Sequence, residues 1–396
     1  MKRIHLPRRH RATPVAGIAL SLVALLAASF GNAAAGTGLA SVQDLRPAID
    51  EIARPYVEPS GWLFGRKPKL VGMVVGIVRD GERAVFGYGT TDHESGQPPN
   101  EDTVFEIGSI SKTFTGVLLA EAVRRGEVRL EDPAAGYLPA DVAKKAAREP
   151  AITLLDLATH TSGLPRVPAN LDPKDLDDPF ADFDERALWK FVAKRGLKRR
   201  DEAKYEYSNL GMGMLGYLLA RSTPGGPKGW DALVTERVLL PLGMSDTGVE
   251  WSADQEARRA TPYHKWGKRD RIWSFAALQG AGALHSTAAD MLTWAEVNLG
   301  HGAGDLAEAV RASHEPHFRM ADRLQSGLAW VVAEPEEIGE TVIWHNGGTG
   351  GYSSHLALLP GSDLGVVVLA NTSSELVDRA AQEIVKEILR IGKETS

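Results

Sequence analysis

Residues 105–116 read FEIGSISKTFTG: an apolar, extended-looking segment that passes through Gly108 into a helix start. In that register Ser109 and Lys112 lie three positions apart, so hydroxyl and amine fall on one face about one turn apart and can share a proton. A serine hydroxyl is a poor nucleophile until a neighbour takes its proton, and an amine does so only when desolvation or another cation holds it partly neutral. A helix start adds free backbone N–H groups able to stabilise a developing oxyanion, and Gly108 permits a close backbone approach. Alone, Ser-x-x-Lys is expected about once by chance in a chain of this composition, so the reading depends on residues elsewhere.

Working outward, the pattern alternates between sheet and helix. On the N-terminal side, Val42, Leu45, Ile49, Ile52 and Tyr56 recur at helical steps, and 57–69 reads as loop. Segments 70–78 and 82–88 are β-rich and meet across Asp80-Gly81, a dipeptide suited to a tight hairpin. Beyond the opening stretch, 112–125 is helical with Gly126 as a stop, and helical patterns recur at 151–159, 184–196, 209–221, 229–239 and 287–299. Strand character returns at 341–344, 353–359 and 364–370, with Pro360-Gly361-Ser362-Asp363 turning the last pair. A closing helix then carries Leu376, Val377, Ala380, Ile384, Val385, Ile388 and Leu389 on one face. Strands at both ends with helices between predict an α+β fold. One antiparallel sheet is built from both chain ends (about 40–108 and 300–396), flanked by helices, with an all-α lobe inserted at about 109–300.

Composition narrows the function. At 396 residues and 43% hydrophobic content the chain buries a large core. Lys2, Arg3, Arg8, Arg9 and Arg11 precede an apolar run over 15–30 that ends in Asn32-Ala33-Ala34-Ala35, the pattern of a signal peptide spanning residues 1–35. Its cleavage predicts a periplasmic or secreted protein that meets the membrane only through this segment, by the general or the twin-arginine route. The remainder carries a net charge of −11, which disfavours nucleic acid as a partner. The absence of cysteine excludes disulfides, thiolate catalysis and Cys-ligated metals.

Other chemistries find little support. His314-Glu315-Pro316-His317 lacks the spacing that puts two histidines on one helix face, no Gly-x-Ser-x-Gly elbow occurs, and the glycines at 347–351 lack a phosphate-loop lysine. Neither metal nor organic cofactor is expected. Two long irregular stretches stay ambiguous. Residues 166–184, rich in Asp and Pro, read as a solvated connector ahead of a substrate-facing loop. Residues 250–280, with Trp251, Tyr263, His264, Trp266, Trp273 and Phe275, either wall a groove or pack onto their own domain.

Two stretches supply what an acyl-transfer site needs besides Ser109. Tyr207-Ser208-Asn209 immediately precedes a helical pattern, and Trp344-His345-Asn346-Gly347-Gly348 comes at the end of a late strand, where glycines let a substrate lie along the backbone. Taken singly, Tyr207 reads as a packed aromatic, Asn209 as an N-cap and His345 as a strand-end histidine bonded to backbone. His160, in Thr159-His160-Thr161-Ser162-Gly163, reads as a turn cap.

Taken together, Phe-Glu-Ile-Gly-Ser-Ile-Ser-Lys, Tyr-Ser-Asn and His-Asn-Gly-Gly resemble the three ordered motifs of the serine penicillin-recognising enzymes, in particular the class C β-lactamase and D,D-peptidase group. The likeness runs from about Leu70 to the closing helix and includes ITLLDLATHTSGLP at 152–165, LPLGMSDT at 240–247 and residues 280–290. It implies a β-lactamase/transpeptidase-like fold, Ser109 as acylated nucleophile, Lys112 as its proton partner and Tyr207 as the group passing protons between serine and leaving group. Asn209 would bind the substrate amide, and the backbone N–H groups of Ser109 and Gly348 would form the oxyanion hole. His345, Asn346 and Gly347 stand where class C β-lactamases have Lys-Thr-Gly, so an imidazole only partly charged near neutral pH replaces a fixed cation beside the substrate carboxylate. The resemblance therefore implies a penicillin-binding D,D-carboxypeptidase or endopeptidase acting on D-alanyl peptides. A β-lactamase, a carboxylesterase of the same fold and a catalytically silent binding module are the alternatives.

Overall fold

The computed structural model describes residues 41–58, 69–94, 96–223 and 229–395. The leader expected over 1–35 and much of the loop expected over 57–69 lie outside these residues.

Strand β1 (Gly72–Arg79) is apolar along nearly its whole length and buried on both faces, whereas β2 (Glu82–Gly89) alternates. They form the expected hairpin: Asp80 and Gly81 both take positive φ, +51° and +79°, the backbone of a tight turn whose twist matches that of the strands. A short pair, β3 (Phe105–Glu106) with β4 (His285–Ser286), stands apart and leads straight into Ser109. Later come β5 (Phe318–Ala321), β6 (Leu324–Ser326), β7 (Val331–Ala333), β8 (Val342–Gly348), β9 (Ser353–Leu359) and β10 (Leu364–Ala370).

Among the described residues the main sheet has eight antiparallel strands in the order β2-β1-β10-β9-β8-β7-β6-β5. The two ends of the chain meet one strand in from an edge, where β1 pairs with β10 in the register Val75↔Val368. This is the α+β, both-ends sheet expected from the sequence. Two features were not: β5–β7, each three or four residues long, extend the sheet, and β8 runs on through His345–Gly348, so the third motif is strand and not strand end.

The closing helix (Leu376–Thr395) lays Val377, Ala380, Ile384 and Ile388 on β9 and β10. Ala288–Leu299, capped by Thr287, lies on β1 and β10, with Leu292 against Gly76, so this last of the mid-chain helices covers the sheet. The helix that follows Ser109, Ser111–Arg124, is buried almost all round. Phe114 stacks on Trp294 at 3.9 Å, and Gly116 runs so close to Leu328 that an added Cβ would stand 2.0 Å from its carbonyl oxygen. Close approach also decides Gly213 and Gly216 in the helix Asn209–Ser222, which meet Leu278 and Trp230. The nucleophile segment is thus clamped between sheet and helices.

Candidate active site

Ser109 sits where β3 gives way to a single 3-10 turn (Gly108–Ile110) that continues into the helix Ser111–Arg124. Gly108 has φ +51°, and a Cβ there would lie 2.6 Å from the backbone nitrogen of Gly348, so glycine is required by conformation and by space. Lys112, with none of its surface exposed, brings Nζ to 2.9 Å from Ser109 Oγ and donates to the carbonyl of Ala281. Burial drives its pKa well below the usual lysine range, and the charge of Arg166 adds to the effect. A lowered pKa favours the neutral amine, the form able to accept the proton of the partly exposed hydroxyl beside it.

Tyr207 approaches from the other side. Its hydroxyl stands close enough to Ser109 for that hydroxyl to lower its pKa, and Lys112 Nζ is 5.0 Å from its ring centroid. Burial pushes the phenol up to about 12, against the opposing pull of Ser109 and Arg166, so it stays protonated and able to donate. The next residue, Ser208, is the N-cap of the helix Asn209–Ser222: its Oγ accepts from Gly211 N–H and donates to the carbonyl of Pro165. Ser208, and not Asn209, therefore caps the helix. Asn209 keeps a buried Oδ1 with no partner among the described residues, the condition of an acceptor that a ligand N–H would complete.

Beneath Tyr207 lies His160, its ring 4.5 Å from the phenol ring. Its Nδ1 accepts from Ser208 N–H, which places the proton on Nε2, and burial drives the imidazolium pKa far down. Its side chain does not cap its own turn, as read from the sequence, but reaches the start of the helix Asn209–Ser222 and packs on the tyrosine ring.

On β8 the side chains alternate. His345 is buried and its Nδ1–H donates to the carbonyl of Asn346, leaving the Nε2 lone pair as its free polar function. Burial, with the charge of Lys112, pushes its pKa to about 3. The partial charge expected of this imidazole is absent near neutral pH, because the ring is withdrawn from water beside another basic group. Asn346 faces the other way and donates from Nδ2 to Asp378 on the closing helix, which also bonds buried His355. Its amide is not brought to Ser109; strand alternation carries it to the opposite face. Gly347 packs on Ile107, where a Cβ would stand 2.0 Å from the carbonyl oxygen.

Thr349 N–H bonds to the carbonyl of Tyr352, and antiparallel alternation then turns the N–H of Gly348 away from β9, past the end of β7, toward the Gly108–Ser109 backbone. The N–H of Ser109 belongs to a first helical turn and has no helical acceptor.

The structure thus brings Ser109, Lys112 and Tyr207 together, sets His345 with its ring 6.4 Å from that of Tyr207, and packs Gly347 and Gly348 on Ile107 and Gly108 beside the nucleophile. Sequence reading passed over three neighbours. The Ala281 carbonyl is a backbone group with no residue signature. Arg166, in the stretch read as a connector, holds its guanidinium 4.9 Å from the Tyr207 ring. Glu106 is buried, accepts from Trp273 N–H at 2.6 Å, and is pushed by desolvation up to about 7. Of the two readings of the aromatic loop, packing onto its own domain is the one seen: Trp273 and Phe275 pack on Phe180, and Trp273 Nε1 would lie 2.7 Å from a Cβ at Gly350.

With this geometry in view, residues 49–389 match the β-lactamase family. The chain is 29% identical over 368 residues to a β-lactamase of Pseudomonas fluorescens, covering 85% of this chain and 96% of the relative. It is also 29% identical to the D-alanyl-D-alanine-carboxypeptidase/endopeptidase AmpH of Escherichia coli K12, covering 75% and 78%. Among solved structures, the D-alanine carboxypeptidase AmpC of Burkholderia cenocepacia superposes with a TM-score of 0.72 at 29% identity, covering 87% of this chain and 99% of that one. Matched over most of its length, and carrying serine, lysine and tyrosine in contact, the chain belongs to the β-lactamase family of serine hydrolases.

Proposed function

We propose that this hydrolase cleaves the terminal amide of D-alanyl peptides through an acyl-Ser109 intermediate, that β-lactams acylate the same serine, and that it works outside the cytoplasm after loss of residues 1–35. The observation that carries the reading is the 2.9 Å approach of the fully buried Lys112 amine, its pKa driven well down by burial, to Ser109 Oγ, with the phenol of Tyr207 beside both.

Ser109 gives its proton to Lys112 as Oγ attacks the carbonyl carbon, and the N–H groups of Ser109 and Gly348 receive the oxyanion. As the tetrahedral species collapses, the Tyr207 O–H protonates the departing amine and Lys112 returns its proton to Tyr207, leaving both groups neutral. Water then attacks the ester, passing a proton to Lys112 by way of Tyr207, and Ser109 leaves with that proton. Asn209 Oδ1 accepts from the substrate amide. The uncharged His345 in place of the lysine of class C enzymes supports the peptidase reading over efficient β-lactam hydrolysis, and the two carboxypeptidase relatives are consistent with it.

Rates on a D-Ala-D-Ala peptide, nitrocefin and a p-nitrophenyl ester provide the test. Release of D-alanine at the highest kcat/KM of the three is expected, with Ser109→Ala inactive on all. A dominant nitrocefin rate would make it a β-lactamase, a dominant ester rate a carboxylesterase, and no turnover by the wild type a binding module. Export is tested by fractionating cells that express the full chain and one lacking residues 1–35.

A further inference from the structure

The pocket has lost one cation and gained another. His345, standing where the related enzymes carry lysine, is neutral, whereas Arg166 presents a guanidinium over the Tyr207 ring at 4.9 Å, with Lys112 Nζ 5.0 Å from the same ring. Its position is built: the Arg166 carbonyl accepts from Asn209 N–H at 3.0 Å and from Leu210 N–H at 3.3 Å, tying it to the start of the helix that carries the second motif. Nearby arginines are engaged with carboxylates, Arg199 with Asp156, Arg200 with Glu206 and Arg271 with Asp175. Arg166 is exposed and, among the described residues, no carboxylate pairs with it.

We infer that Arg166 is the residue by which this pocket recognises a carboxylate on its substrate, a role that rests on the acyl-transfer reading above. Distance sets where that carboxylate lies. Adding the reach of a phenol and one hydrogen bond to the 4.9 Å puts the guanidinium at most about 11 Å from Ser109 Oγ. An extended peptide covers roughly 3.5 Å per residue, so a carboxylate one or two residues from the scissile carbonyl meets the guanidinium fork, which suits bidentate binding. A terminal D-alanine satisfies that spacing, and the carboxylate of a bicyclic β-lactam is closer still. A neutral ester or a C-terminal amide offers nothing to pair with it.

The test compares a D-Ala-D-Ala peptide bearing a free carboxylate with its C-terminal amide, in wild type, Arg166→Gln and Arg166→Lys. In the wild type kcat/KM is expected to favour the carboxylate by about 10- to 100-fold, the range of a charge-assisted hydrogen bond, chiefly through KM. Arg166→Gln brings the ratio near one, and Arg166→Lys restores part of it. A residue that only tuned Tyr207 and Lys112 electrostatically would depress both substrates together, so a wild-type ratio near one, or a ratio unchanged in Arg166→Gln, overturns the inference. Calorimetric Kd values for the same two peptides on Ser109→Ala, with and without Arg166→Gln, give the ratio without any turnover. A carboxylate preference that disappears with Arg166 supports the inference even where D-alanine release by the wild type fails, and no preference in binding contradicts it.

Discussion

Ser109 owes its reactivity to what surrounds Lys112. Because the amine is depressed by burial, the active form is the neutral one, and activity is expected to fall as pH drops through that lowered pKa. Lys112→Arg puts a permanent charge in place of an amine that can be neutral and so removes the base, and a loss of kcat of about 10³-fold or more is expected, read by single-turnover acylation. His345 makes a second, separable prediction. With its pKa near 3, its ring signals in imidazole NMR should not move between pH 5 and 8, and a midpoint near 6.5 would contradict the neutral assignment. Its sign for stability follows: the unfolded ring gains a proton below about 6.5 that the folded ring refuses, so its contribution is lost as pH falls from there toward 3. At this scale spacing alone suggested Ser109 beside Lys112, and the order of the three motifs, resembling that of the serine penicillin-recognising enzymes, made the rest readable. Asn346 was misread as a substrate contact because strand alternation sends its amide to Asp378, and the state of His345 depends on burial that no local stretch of residues expresses.

Among the elements, close backbone contacts decide what can be changed. At Gly116 helix propensity favours alanine by about 1 kcal/mol, but a Cβ would stand 2.0 Å from the Leu328 carbonyl oxygen. Overpacking of about 1–3 kcal/mol outweighs the propensity, so Gly116→Ala is expected to lower the denaturation midpoint, and a raised midpoint would refute the contact. Gly108→Ala combines a clash at Gly348 with φ +51°, and should lose activity more steeply than stability because the displaced strand carries an oxyanion donor. The hairpin at Asp80-Gly81 was legible from turn chemistry and the helices Asn209–Ser222 and Ala288–Leu299 from their apolar pattern, whereas the cap of the first lies one residue earlier, at Ser208, than the Asn209 offered by the sequence. Strands β5–β7 were not: they are three or four residues long and β5 alternates between partly buried and exposed positions, so only pairing in three dimensions defines them. The third motif was placed at a strand end because glycines weaken strand character, although pairing with β9 continues to Gly348.

For the whole molecule, the sheet built from both chain ends means that β1 and β10, with the closing helix on them, join residues nearly three hundred apart. That organisation was visible in the order of strands and helices; the packing of Ala288–Leu299 on the sheet was not, because an apolar helix face does not name its partner. Glu106 ties global stability to pH. Its folded pKa near 7 lies above the ordinary 4.5, so the folded state holds a proton that the unfolded chain releases, and this stabilisation is complete below about 4.5 and lost as pH rises through 7. The stability of wild type relative to Glu106→Gln should therefore fall by about 3 kcal/mol between pH 4 and 8 in denaturant titrations, and a flat difference would show the carboxyl to be ordinary.

Intact-protein mass spectrometry after exposure to a penicillin tests the convergence of Ser109, Lys112 and Tyr207 most directly. The wild type is expected to gain the mass of the whole β-lactam, mapped to the peptide containing Ser109, while Ser109→Ala gains nothing and Lys112→Arg acquires the adduct far more slowly. An unmodified wild type, or an adduct that persists in Ser109→Ala, would contradict the account.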